Sequence, residues 1–242
     1  MSRYKAYALA YSSLILGFGS LIMFSIFLYL GSFSLFDLGL RQQEALYIDA
    51  RLCLLFIAQH SIMIRRGVRK SLAKLIAEEY YSAFYSIASG IVLIVMILFW
   101  QKTPGLIASA GGIFHWVLRA LFFLSIAGFS WGTRSLGSFD PFGVKTIMKH
   151  IHNKKPKPTP LTIRGAYQWV RHPLYLFSIV MIWSCPDLTA DRLLFNVLWT
   201  TWIIIATMLE ERDLVFEFGD QYRQYQAKVP MIIPYKYPRI SG

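Results

Sequence analysis

A chain of 242 residues that is 55% hydrophobic and only 16% charged falls in the membrane class before any motif is read, because a soluble domain carries more charged surface. Its net charge of +12 invites a nucleic-acid reading. However, the basic residues cluster in loops between apolar runs, and membrane topology alone produces that pattern. Nucleic-acid binding and a soluble second domain are set aside on this ground.

Apolar runs at 8–30, 47–64, 80–100 and 112–131 predict four spans, since roughly 20 apolar residues cross a hydrocarbon core. The first run follows Arg3 and Lys5, is too long for a signal-peptide core and lacks a small-residue cleavage pattern, so it is read as a retained span. Gly17-x-Gly19 lies inside it with no preceding strand and is no dinucleotide fingerprint. In the second run, Asp49 and Arg51 are expected to snorkel or pair near one membrane face, and Gln59-His60-Ser61 lies toward the other. Polar residues at such depth serve either as glue between helices or as substrate ligands, and both readings stay open here.

Basic residues gather at Arg3 and Lys5, at Arg65, Arg66, Arg69, Lys70 and Lys74, from Lys145 to Arg171, and in the C-terminal tail. By the positive-inside rule both termini and the loops 65–79 and 134–172 face the cytoplasm, which makes the cytoplasmic membrane the expected location. The stretch Lys154-Lys155-Pro156-Lys157-Pro158-Thr159-Pro160 reads as an extended linker, because each proline discourages helix in the residue before it. His150-x-His152 has no third ligand at matching spacing, so no metal is expected. Cys53 and Cys185 both fall in apolar runs and indicate no disulfide framework.

Two further apolar runs follow, 173–186 and 193–209. The first would be about 21 Å long as a helix, short of a core of about 30 Å. The turn Cys185-Pro186-Asp187-Leu188-Thr189-Ala190-Asp191 joins the two, with a possible helix cap at Thr189 or Asp191. The pair is read as a short hairpin. Leu214, Val215, Phe218, Tyr222 and Tyr225 then follow helical spacing with polar residues around them, which predicts an amphipathic tail helix. Gly219 inside it marks either a close backbone approach or a helix defect.

The expected architecture is an all-α integral membrane protein. A four-span unit occupies 1–133, a basic linker and motif segment 134–172, and a helical hairpin with its tail 173–242.

Arg171-His172-Pro173 stands where a helix begins, with proline suited to the first turn and exposed N–H groups that attract anions. Glu210 and Glu211 end the last apolar run at the same membrane level. Carboxylates near a membrane need partners or a use, so these groups form either a structural ion pair at the feet of the hairpin or a binding site. Tyr167, Trp169, Tyr175, Tyr222 and Tyr225 surround them, either as an interfacial aromatic belt or as the lining of a cation pocket suited to a sulfonium.

The combined tract Arg164-Gly165-x-Tyr167, Arg171-His172-Pro173-x-Tyr175, Glu210-Glu211-Arg212-Asp213-Leu214, Phe218-Gly219-x-x-Tyr222-x-x-Tyr225 and Val229-Pro230-x-x-x-Pro234 resembles the isoprenylcysteine carboxyl methyltransferase superfamily over the last third of the chain. Related motifs occur in phospholipid methyltransferases and membrane sterol reductases. Phe56-x-x-Gln59-His60-Ser61-x-Met63 and Phe139-Asp140-x-Phe142-Gly143, with the Cys185–Thr189 turn, resemble the methanethiol S-methyltransferase branch. The chain departs from that branch at Val144-Lys145-Thr146, where Leu-Arg-Gln is usual.

The resemblance implies S-adenosylmethionine bound by the hairpin and tail, with His172, Pro173, Tyr175, Glu210, Tyr222 and Tyr225 as its contacts. It implies Arg171 and Glu211 near the reacting groups, and Gln59, His60, Phe139 and Asp140 are the candidates around a small apolar thiol, with His60 a candidate base because the reacting form is the thiolate. Methanethiol would become dimethyl sulfide. Another lipophilic nucleophile, such as an isoprenylcysteine carboxylate or a phospholipid amine, is the alternative acceptor, and a non-catalytic membrane protein retaining the fold is the alternative class.

Overall fold

The computed structural model describes residues 2–137, 139–154 and 160–236. Its helices are α1 (Arg3–Leu30), α2 (Gln42–Ile64), α3 (Arg66–Leu72), α4 (Glu78–Phe99), α5 (Gly112–Leu136), α6 (Val144–Ile151), α7 (Pro173–Trp183), α8 (Ala190–Phe218) and α9 (Asp220–Lys228). Two short strands, β1 (Leu106–Ser109) and β2 (Asp187–Thr189), pair with one another, and a 3-10 turn covers Gly165–Gln168. Among the described residues, α1, α2, α4, α5 and α8 are long and apolar enough to cross a membrane. The protein is an all-α integral membrane protein. The linker expected over 154–160 falls almost wholly outside the described residues.

The chain forms two compact units. The first comprises Met1–Gly105, Asp140–Pro158 and Thr189–Phe195, and the second Leu106–Phe139, Thr159–Leu188 and Asn196–Gly242.

In the first unit, α1 lies along α4 through a buried stripe of small residues, Ala6, Ala10, Ser13, Gly17 and Ser20, at three- and four-residue spacing. In a membrane, where apolar side chains gain little by leaving lipid, such stripes let backbones approach and gather dispersion contacts. Gly17 is a case in point: a Cβ there would run into Ser86 Oγ of α4 and stand 2.7 Å from Phe142 Cδ1, so glycine serves packing. The amphipathic α6 closes one end of this unit by setting Ile147 among Ala6, Ala10, Tyr80 and Ala83.

Of the two expectations for Asp49, snorkelling or pairing, the structure shows pairing with a backbone group. Asp49 is fully buried and accepts the Gln101 backbone N–H at 2.8 Å. Asp191 likewise turns inward, accepting from the Thr103 backbone N–H at 3.1 Å and the Thr103 hydroxyl at 2.7 Å. Its carboxylate therefore holds the segment after α4 in place.

In the second unit, α5 packs along α7, where a Cβ on Gly132 would stand 2.7 Å from Leu174 Cδ2. The hairpin has unequal arms. Helix α7 has 11 residues, about 16 Å, and α8 has 29, about 43 Å, at 1.5 Å per residue. Asp213–Phe218 continue α8 past the apolar run. The helix then breaks at Gly219, whose φ of +55° is costly for residues with a Cβ. A Cβ there would meet nothing within 4 Å, so this glycine supplies a backbone angle and not a close approach. The break turns α9 back, and residues 230–231 pair with the start of α7: Arg171 N–H donates to the Pro230 carbonyl at 2.9 Å and His172 N–H to the Met231 carbonyl at 3.0 Å.

Candidate functional site

Glu210 and Glu211 are neighbours on α8, so they project about 100° apart around the helix axis and meet different surroundings. Glu211 points inward, its side chain 9% exposed, whereas that of Glu210 is 43% exposed. Around Glu211 the second unit builds an ionic knot. Its Oε1 lies 2.9 Å from Arg171 Nε, 2.6 Å from His172 Nε2 and 2.7 Å from the Tyr222 hydroxyl. Its Oε2 accepts from an Arg171 terminal nitrogen at 2.8 Å and from Gln226 Nε2 at 2.6 Å. The Arg171 contact is bidentate, the strongest form of carboxylate pairing.

Arg171 is equally committed. Its other terminal nitrogen donates to the carbonyls of Gln226 and Val229, so one guanidinium joins α8 to the end of α9. Burial works against its charge, but hydrogen bonding to Glu211, the charge of Glu211 and the neighbouring Tyr222 together hold its pKa above the ordinary value. Burial pushes the Tyr222 hydroxyl up, and its hydrogen bond to Glu211 pushes it further, so it stays a donor. Tyr225 is raised by burial as well, and its hydroxyl donates to the Tyr167 carbonyl.

Both tail tyrosines are buried, at 1% and 4% exposure, and their hydroxyls are engaged in holding α9. The polar groups of Arg171, Glu211, Tyr222 and Tyr225 are therefore engaged with one another and with the backbone of the second unit. Five donor atoms already surround Glu211, which leaves it little capacity for a ligand. Gln226 belongs to the same knot, although sequence reasoning does not single it out. The signal that could have found it is its four-residue spacing from Tyr222, which sets both on one face of α9.

The open edge of this knot is His172, Tyr175 and Glu210. The rings of His172 and Tyr175 stack at 5.5 Å with 11° between planes, and the Tyr175 hydroxyl donates to Glu210 Oε2 at 2.7 Å. His172 Nδ1 is 3.7 Å from the same oxygen. Pro173 is the first residue of α7, as the Arg-His-Pro pattern predicts.

The second polar set lies in the first unit, between α2 and α4. Gln59 Nε2 donates to Met63 Sδ at 3.0 Å and to Ser89 Oγ at 3.3 Å. The Tyr85 hydroxyl is 2.7 Å from His60 Nε2, and Phe56 lies against the His60 ring at 5.3 Å. Tyr85 and Ser89 carry no local signal in the sequence, since nothing there says that α4 lies beside α2. Asp140, also in this unit, accepts from the Thr146 backbone N–H at 2.8 Å and from its hydroxyl at 2.9 Å, which satisfies the start of α6. Phe139, at the end of a segment of the second unit, is 38% exposed.

His150 pairs with Glu79 at 3.1 Å, and His152 Nδ1 sits 2.7 Å from the Met148 carbonyl. Among the described residues there is no group of three or more His, Cys, Asp or Glu side chains placed to hold a metal.

The chain belongs to the NnrU protein family, which it matches over residues 50–210. That match takes in the Gln59-His60 seam, the Arg171-His172-Pro173 turn and Glu210. Among individual relatives, the chain is 34% identical over 197 residues to the methanethiol S-methyltransferase of Pseudomonas deceptionensis, covering 78% of this chain and 73% of that protein. It is 35% identical over 199 residues to the methanethiol S-methyltransferase of Pseudomonas sp. (strain GM41(2012)), covering 81% and 76%. Nurim of Rattus norvegicus is 26% identical over 190 residues, covering 74% and 71%. No solved structure matches the chain.

Proposed function

We propose that this protein is an S-adenosylmethionine-dependent methyltransferase of the membrane that converts methanethiol to dimethyl sulfide. The observation that carries the reading is the similarity to the two Pseudomonas methanethiol S-methyltransferases over about four-fifths of the chain.

The residues present suit a sulfonium methyl donor. Glu210 offers a part-exposed carboxylate to a cationic amine or to ribose hydroxyls, while the first turn of α7 at Pro173 presents N–H groups suited to a carboxylate. His172 and Tyr175 form the aromatic wall beside them. When bound, S-adenosylmethionine supplies an electrophilic methyl group. Arg171 and Glu211 act through these residues: they fix His172 from behind and pin α9, which is what positioning demands of a displacement reaction.

On the acceptor side, Gln59 and His60 are assigned to the thiol. Its sulfur becomes the nucleophile on losing a proton, and His60, oriented by Tyr85, is the assigned proton acceptor. Asp140 contributes by fixing the start of α6. The charge pattern of the loops supports a cytoplasmic side for both termini and for the cofactor-binding end, in the cytoplasmic membrane.

Headspace analysis of purified protein given S-adenosylmethionine and methanethiol tests this. An isoprenylcysteine analogue and a phospholipid amine run in parallel as acceptors. Dimethyl sulfide from the thiol is the expected product; methylation of either parallel acceptor with none of the thiol would overturn the substrate.

A further inference from the structure

The seam between α2 and α4 leaves one strong acceptor open. Gln59 Nε2 has two acceptors, Met63 Sδ and Ser89 Oγ, but Gln59 Oε1 is buried with no hydrogen-bond partner. The orientation of an amide follows from its neighbours. Turning this one over would let the Ser89 hydroxyl donate to the oxygen, but it would also set that oxygen against the thioether sulfur 3.0 Å away, two acceptors face to face, so the sulfur contact decides the orientation. The carbonyl is therefore directed away from both.

A buried carbonyl without a donor is a net cost to the fold, and within a membrane span no bulk water relieves it. Beside the polar groups of the seam stand soft and apolar ones: Phe56, one turn earlier on α2, is 4% exposed, and the Met63 sulfur lies 3.0 Å from the amide nitrogen. Such a place suits a small apolar molecule with a single weak donor.

Resting on the thiol-methylating reading above, we propose that Gln59 Oε1 accepts the S–H hydrogen bond of the thiol substrate and thereby tells substrate from product. Methanethiol carries one S–H donor, which rests on Gln59 Oε1 on binding and turns to His60 when the proton is removed, and dimethyl sulfide carries none. The thiol relieves the open carbonyl when it binds. The thioether leaves it unpaired, so the product is held more weakly although it is larger and more apolar. Because S–H is a weak donor, the discrimination belongs at the low end of what a lost hydrogen bond gives, about tenfold.

Ethanethiol and dimethyl sulfide test this cleanly, since they share one molecular formula and differ in the S–H. Each is added as a competitor while methanethiol is methylated from S-adenosylmethionine carrying a deuterated methyl, so that new product is told from added thioether by mass. In the wild type, ethanethiol should inhibit at about one-tenth the concentration that dimethyl sulfide needs. In Gln59→Leu that ratio should fall to about one, with the KM for methanethiol raised and the KM for S-adenosylmethionine unchanged. Equal inhibition by the two isomers in the wild type would overturn the assignment alone, as would an undiminished ratio in Gln59→Leu. The wild-type comparison stands even if the variant fails to fold, and Gln59→Met offers a second replacement without the carbonyl. If the wild type forms no labelled dimethyl sulfide, the reading of function falls and this assignment with it.

Discussion

The two polar regions of this protein solve the problem of charge and dipole near lipid in opposite ways. The knot around Glu211 is saturated, with one carboxylate surrounded by donors from Arg171, His172, Tyr222 and Gln226. The seam at Gln59 is left short by one partner. A saturated cluster fixes shape, because every member is held by the others; an unsaturated one remains able to receive a ligand. The most heavily charged motif of the chain is thus internally satisfied, and the polar groups with capacity to spare are the less conspicuous ones at its edge and in the seam.

Breaking the knot should therefore cost stability before anything else. Arg171→Ala leaves a buried carboxylate without its bidentate partner, and losses of this type run to about 3–5 kcal/mol. A lower melting temperature in detergent and early proteolysis of the segment after Gly219 should accompany loss of activity. A normal melting curve with activity gone would place Arg171 at the reacting groups and erase the distinction.

Tyr222→Phe removes one donor of several and should cost about 1–2 kcal/mol, read by the same melting curve. The knot also has a pH signature. The folded state raises the pKa of both Tyr222 and Arg171, so it holds their protons more tightly than the unfolded chain. Their contribution to stability is full below about pH 10, the ordinary tyrosine value, and is lost as pH rises beyond it. Wild-type melting temperature should drop at alkaline pH, and Tyr222→Phe should make that drop shallower.

At the edge of the knot, Glu210→Gln should leave melting unchanged, since the side chain is part exposed. It should weaken S-adenosylmethionine binding about tenfold by removing a charge-assisted contact, measurable by calorimetry. Smallest of all should be the effect of Gln59→Leu on stability, within about 0.5 kcal/mol, because it removes an unpaired buried acceptor along with two weak contacts. A large loss there would mean that Gln59 is glue between helices.

Much of this is legible in the sequence for physical reasons. An antiparallel hairpin brings its two feet together, so Arg171 and His172 have to meet Glu210 and Glu211 once both runs are read as helices. Which glutamate turns inward is not legible. That choice depends on α9 folding back to offer Tyr222 and Gln226, and the fold-back depends on a positive φ at Gly219 that a helical pattern does not announce. The spacing of the tail tyrosines shows only that they share a face; that their hydroxyls meet Glu211 and the Tyr167 carbonyl is a tertiary fact. Likewise the sequence leaves Asp49 between snorkelling and pairing because its partner, the Gln101 backbone N–H, carries no side-chain signature. Tyr85 and Ser89 stay hidden because the pairing of α2 with α4 is a tertiary fact.

Methyl transfer to a thiol underlies every role assigned to these residues. The decisive measurement supplies purified wild-type protein with methanethiol and S-adenosylmethionine bearing a trideuterated methyl, then weighs the dimethyl sulfide in the headspace. Dimethyl sulfide carrying the three deuterons should form, and only when both substrates are present. Protein that binds S-adenosylmethionine yet releases no labelled dimethyl sulfide would contradict thiol methylation outright.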